Sequence, residues 1–145
     1  EIDHGRWEGL TRDEVEARFP EEYALWTDDP FSFAPEGGTT GAELVARVLP
    51  CLRQIFRDHA GQQILVVSHK ATIRLLIAIL LGIDPRRYRD FLDQRPCALN
   101  WLELRDPTRA RLLRLNDVSH YASEAAEAVE ASEAAGASRP GVGGG

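Results

Sequence analysis

The sequence predicts an α/β fold, and three observations predict it. Four consecutive apolar β-formers, Ile64 to Val67, lie between polar residues and read as a buried strand of a parallel sheet. Two capping boxes and one long apolar segment mark helices before and after that strand. Two short apolar segments, 99–104 and 110–115, flank a turn-forming stretch and read as a hairpin. The order helix, helix, strand, helix, helix, strand, strand fits a sheet clad in helices and mixed at one end.

Each element has a local cause. Thr11-Arg12-Asp13-Glu14 is a capping box that starts a short helix, and Pro20 stops it. Glu21 to Trp26 continues as one or two helical turns. Residues 28–41 are dense in Pro, Gly and Asp and form a long loop. Thr40-Gly41-Ala42-Glu43 is the second capping box. Leu44, Val45, Val48, Leu49, Leu52, Ile55 and Phe56 follow at helical spacing, predicting a core-facing stripe, with a kink at Pro50. The strand spans Gln63–Ser68. Ala71–Leu81 is a strongly apolar helix closed by Gly82. Asp84-Pro85 caps and starts another helix reaching about Leu92. Leu99–Leu104 and Ala110–Leu115 are the hairpin strands, joined through Arg105-Asp106-Pro107-Thr108. Trp26 and Trp101 are expected in the core.

Composition narrows the function classes. The 145 residues predict one domain, and 43% apolar with 28% charged residues gives a globular balance. The longest apolar run, Ile73 to Ile83, is short and interrupted by Arg74 and Gly82, so no membrane span is expected. A net charge of −6 argues against a general nucleic-acid binder. Charge is uneven: residues 61–121 hold 10 basic and 6 acidic side chains, net +4, which suits a small anionic ligand or an ordinary solvated surface. Cys51 and Cys97 show no metal-ligand spacing and suggest a reducing, cytoplasmic setting. Residues 122–145 are Ala, Glu and Gly without an aromatic, so a disordered tail is expected after a domain ending near Tyr121. No Met occurs and residue 1 is Glu, so the sequence reads as opening inside a longer chain, with no signal peptide at its start.

Two segments could carry chemistry. In VVSHKATIR, residues 66–74, a buried strand ends in Ser68-His69-Lys70 and a helix begins at once. Ligands of open α/β sheets bind at such strand ends, and free amides at a helix N-terminus suit a phosphate. His69 could donate a hydrogen bond to a phosphoryl oxygen, while Lys70 and Arg74 add positive potential. The competing reading makes His69 a satisfied core histidine. The second segment, residues 1–9, interleaves Glu1, Asp3, His4 and Glu8 with Gly5, Trp7 and Gly9. It reads either as a structured loop offering a general acid or as a solvated acidic loop. A metal held by Glu1, Asp3, His4 and His69 has no supporting spacing. His59 reads as a helix-end residue and His120 as a surface residue.

Together these segments resemble the histidine phosphatase superfamily, the group that includes cofactor-dependent phosphoglycerate mutase. EIDHGRWEGLT resembles the family's Glu-x-x-x-Gly-x-Trp-Glu-Gly-x-Thr segment. APEGGTTGAELVAR resembles its Pro-Gly-Gly-Glu-Ser/Thr loop and following helix, VVSHKATIR its second histidine motif, and LNDVSHY a recurrent ending. The resemblance spans residues 1–121. It implies part of a phosphoglycerate mutase-like three-layer α/β/α fold, with a central, mostly parallel sheet ending in a β-hairpin. It implies a phosphomonoester phosphatase or mutase that forms a phosphohistidine, needs no metal or cofactor, and takes a small phosphorylated substrate. Glu1 matches the family's proton donor and His69 its second catalytic histidine, with His69 and Lys70 against the phosphoryl group. The sequence departs from the family in three ways. The Arg-His-Gly motif of the nucleophile is absent, Lys70 stands where many members have Gly, and Thr39 stands where the loop usually has Glu. The chain alone is therefore expected to be inactive, and to be marginal, dimeric or aggregating because a neighbour of its buried strand is missing. The alternative is a degenerate, non-catalytic module that holds a phosphorylated ligand or a protein partner.

Overall fold

A computed structural model describes residues 1–121; the expected tail, 122–145, lies outside the described residues. A 3-10 turn, Gly5–Trp7, precedes α1 (Arg12–Arg18) and α2 (Pro20–Asp28). The long loop leads to α3 (Gly41–Asp58) and an extended stretch to α4 (Lys70–Leu81). A 3-10 turn at Pro85–Arg87 runs into α5 (Tyr88–Phe91), and β1 (Leu99–Asp106) and β2 (Arg109–Asp117) close the fold.

The predicted helix signals act as read. Thr11 and Thr40 each accept from the amide three residues on, while Glu14 and Glu43 reach back to the Thr amides. Gly82 ends α4 with φ of 73°, in the left-handed region that favours glycine. Asp84 accepts from the Arg86 amide at 3.0 Å to start the 3-10 turn. Pro50 lies inside α3, which continues past it for two more turns.

α4 is the centre of the core. Leu75, Ile77 and Ala78 are buried in it, with Leu75 and Ala78 fully covered. Ile2, Leu44, Val45, Tyr88 and Leu92 complete one cluster around them. Of the stripe predicted on α3, only Leu44 and Val45 are buried, whereas Leu52, Ile55 and Phe56 stay half-exposed. The first turns of α3 meet the cluster and its C-terminal half has less to pack against.

The parallel sheet expected from the sequence does not appear among the described residues. Among the described residues the only sheet is the antiparallel pair β1-β2. Residues 63–69 carry no strand assignment, and Leu65 and Val67 are 80% and 86% exposed. A strand exists only through a neighbour's backbone groups, and among the described residues none pairs with this segment. Apolar content alone therefore mis-stated it as buried. Trp101 is likewise not in the core: it is 51% exposed, with Arg114 opposite it on β2. Alternation along β1 turns Leu102 inward and Trp101 outward. Asn100, Asn116 and buried Gln94 bind one another and the backbone of 95–98, which ties that loop to the sheet.

The segment 1–10 is pinned by the long loop. Thr39 donates its amide to the Asp3 carbonyl at 2.8 Å, and Arg6 its amide to the Glu36 carbonyl at 3.0 Å. Arg6 also pairs with Glu22 and Glu36 and lies over the Phe19 ring. Gly5 has φ of 51°, and a Cβ there would sit 2.3 Å from the Glu36 carbonyl oxygen. Two changes follow from this packing. Leu75→Ala should cost about 2–5 kcal/mol in denaturant unfolding. Gly5→Ala should destabilise by more than the ordinary surface figure of about 0.5 kcal/mol, because backbone must move to admit the methyl.

Candidate functional site

The two sequence segments meet at the N-terminus of α4. Glu1 Oε1 accepts from the Ile2 amide at 2.9 Å and from the Thr72 hydroxyl at 3.2 Å. Its Oε2 accepts from the Ala71 amide at 3.2 Å, joining residues 70 positions apart. Arg47 of α3 donates to the Glu1 carbonyl at 3.1 Å and fixes the backbone there. Burial alone would raise the Glu1 carboxyl. The bonds from Ile2, Ala71 and Thr72 outweigh burial and hold it below the usual carboxylate range.

His69 is the N-cap residue of α4, in extended conformation, and its carbonyl accepts from the Ile73 amide at 2.9 Å. Its side chain is exposed and makes no hydrogen bond among the described residues, so it is no satisfied core histidine. Lys70 is the first residue of α4 and is exposed. A cation at that end opposes the helix dipole, so Lys70 gives nothing to the helix and adds to the field an anion would meet. Glu1, His69 and Lys70 thus cluster at one helix end. His59 is elsewhere, capping α3 and facing Gln62 at 3.1 Å, and His120 packs edge-on to Tyr121. Among the described residues no group of three His, Cys, Asp or Glu side chains is placed to hold a metal ion.

Sequence reading missed the layer behind this cluster. Tyr88, buried, lies within the field of Glu1, Arg74 and Arg89, and burial pushes its hydroxyl up. Arg74 lies over the Tyr88 ring, donates to the Arg89 carbonyl at 3.0 Å, and is lowered by burial. Arg89 lies 4.0 Å over the Trp26 ring and donates to the Trp26 carbonyl at 2.8 Å. Trp26 in turn meets His4 and Trp7 edge-on, both at 5.7 Å between centroids, with Tyr23 alongside. Tyr23 and Trp26, three apart on α2, were a legible sign of one aromatic face. A cleft of about 190 Å³ opens between these rings, Glu8 and Arg12. Neither Glu1 nor His69 lines it; His4, three residues after Glu1 in sequence, does.

Residues 1–118 match the family model of the histidine phosphatase superfamily (branch 1). The chain belongs to that superfamily. It is 32% identical over 121 residues to phosphoserine phosphatase 1 of Hydrogenobacter thermophilus, covering 83% of this chain and 56% of that protein. Its fold matches Bacillus stearothermophilus YhfR with a TM-score of 0.74 at 25% identity, over 83% of this chain and 59% of that one. The α-ribazole phosphatase of Shigella flexneri gives 0.65 at 26% identity, over 81% and 57%. The chain therefore spans under two thirds of the length of these superfamily relatives. It has the helices and terminal hairpin of the histidine phosphatase fold, and among its described residues no helix is long and apolar enough to cross a membrane.

The lowered Glu1 carboxyl sets a pH dependence. A carboxyl whose folded value is depressed stabilises above its unfolded value and loses that contribution as pH falls through the folded value. The difference in melting temperature between the parent chain and Glu1→Gln should be present at neutral pH and vanish on acidification below the ordinary carboxylate range. A difference that grows on acidification would contradict the assignment.

Proposed function

We propose that this chain carries the acid and second-histidine half of a phosphomonoester phosphatase or mutase that works through a phosphohistidine. The observation that carries this reading is the bond from the Ala71 amide and Thr72 hydroxyl to Glu1, on the helix that His69 caps. It brings two motifs 70 residues apart in the chain to one anion-favouring helix end. His69 and Lys70 would hold the phosphoryl oxygens, and Glu1 would protonate the leaving oxygen. The relatives' names, phosphoserine phosphatase and α-ribazole phosphatase, support a small phosphorylated substrate.

The acid role has a requirement that the free site does not meet. Glu1 is held ionised, and an acid must carry a proton. A phosphoryl dianion beside it raises its pKa by like-charge repulsion. Binding of inorganic phosphate should therefore take up protons, measured as a buffer-dependent heat, and Glu1→Gln should abolish that uptake while leaving phosphate bound.

The 145 residues hold no Arg-His-Gly triplet, so on this reading the attacking imidazole comes from polypeptide outside this sequence. The chain alone should not turn over an aryl phosphate in a His69-dependent way; turnover lost in His69→Ala would sink that expectation. The exposed apolar stretch Ile64–Val67 would then be the central, mostly parallel strand of a three-layer α/β/α sheet, waiting for its neighbour. Alone, the chain should self-associate through it as a homodimer or larger species. Val67→Lys should shift light scattering toward monomer without lowering the melting temperature. The ionised Glu1 and the missing triplet favour one second reading, a non-catalytic module that holds a phosphorylated ligand. It predicts phosphate binding but no His69-dependent turnover even when an Arg-His-Gly segment is supplied. For either reading we propose a cytoplasmic setting, which the free thiols of Cys51 and Cys97 suit.

A further inference from the structure

Thr72 lies in the buried part of α4, 5% exposed and one turn before the fully covered Leu75. Valine has the same branched shape and needs no polar partner. A buried hydroxyl is costly unless it is bonded. A helical threonine can satisfy itself on the carbonyl four residues back. Among the described residues the Thr72 hydroxyl instead makes one bond, across the fold, to Oε1 of Glu1 at 3.2 Å. Donors are unevenly shared over that carboxylate. Each carboxylate oxygen offers two acceptor sites. Both sites of Oε1 are used, by the Ile2 amide at 2.9 Å and by Thr72. Oε2 accepts from the Ala71 amide at 3.2 Å, in the first turn of the helix that His69 caps, and from no other group among the described residues. One acceptor site on Oε2 is left over, and Glu1 as a residue is exposed.

We propose that Thr72 is a positioning residue for the acid: its hydroxyl occupies Oε1 of Glu1 and so reserves Oε2 as the oxygen that carries and delivers the proton. The proposal rests on the acid role given to Glu1 above and names the atom that performs it. A proton on Oε1 has to displace the bond from Ile2 or the bond from Thr72. A proton on Oε2 enters the open site and leaves both in place. In the transfer step the bond from phosphorus to the leaving oxygen breaks as the bond to the attacking imidazole forms. The leaving oxygen keeps the electron pair and takes the Oε2 proton. Glu1 returns to the carboxylate that Ile2 and Thr72 hold. Thr72 acts only through Glu1. Of the three donors on the carboxylate it is the only side chain, so it is the one that a substitution can remove. Burial pushes the carboxyl up, and the bonds from Ile2, Ala71 and Thr72 bring it down. Loss of the hydroxyl therefore moves it up.

The test titrates Glu1 by NMR in the full 145-residue chain, with its side-chain carboxyl carbon identified by loss of that signal in Glu1→Gln. Thr72→Val keeps the shape and removes the hydroxyl, and should raise the Glu1 midpoint by about half a pH unit or more. Thr72→Ser removes the methyl and keeps the hydroxyl, and should titrate with the parent. A role in packing alone would reverse that order. Should Thr72→Val not fold, Thr72→Ala against Thr72→Ser gives the same comparison, since the two differ only in the hydroxyl. Backbone amide resonances locate the proton. On acidification the Ala71 amide should move with the Glu1 midpoint and further than the Ile2 amide, because Oε2 is the oxygen that changes. The proposal is overturned if the variant lacking the hydroxyl titrates with the parent, if Thr72→Ser shifts as far as that variant, or if Ile2 moves as far as Ala71. Inorganic phosphate titrated separately reports on the phosphoryl site: failure to move the His69 ring resonances would overturn that reading and leave the Glu1 midpoints standing.

Discussion

The bond network of Glu1 at the start of α4 is the constraint on which the site depends. α4 is mostly apolar, with Leu75 and Ala78 fully covered, so its axis is held by the core. Its first turn must therefore be met by groups brought to it. Glu1 accepts from Ala71 and Thr72, and Arg47 holds the Glu1 carbonyl from α3. The long loop holds the rest of the segment through Asp3, Arg6 and the tight approach at Gly5. Rigidity in the helix thus becomes precision in a carboxylate that lies far from it in sequence.

Charge is arranged around that point in layers. His69 and Lys70 stand in solvent at the helix end, where a charged ligand can reach them. Arg74 and Arg89 are drawn behind it, each lowered by burial and each set over an aromatic ring. Their guanidinium groups donate to the carbonyls of Arg89, Trp26 and Thr27, so they bind α2, α4 and α5 together rather than facing a ligand. The basic middle of the sequence therefore divides into two parts, one accessible and one structural.

Much of this was legible locally because its causes are local. Both capping boxes, Gly82 and Asp84-Pro85 mark their helix ends through side chains within a few residues of the backbone groups they satisfy. The hairpin was legible for the same reason, since its strands are neighbours in sequence. The stretch Ile64–Val67 was misread because a strand's burial depends on what lies beside it. Trp101 was misplaced because composition does not say which face of a ribbon is covered.

The sequence by itself determined the helix boundaries, the hairpin and the family, and it singled out Glu1 and His69 as chemistry-bearing residues. Only the tertiary structure decided that Glu1 reaches the helix His69 caps, that its carboxyl is held ionised there, and that His4, Trp7 and Trp26 line one cleft. The physical reason is separation along the chain. Capping and turn signals act over three or four residues, whereas the Glu1–Ala71 bond spans 70, and contacts at that range follow from packing around α4.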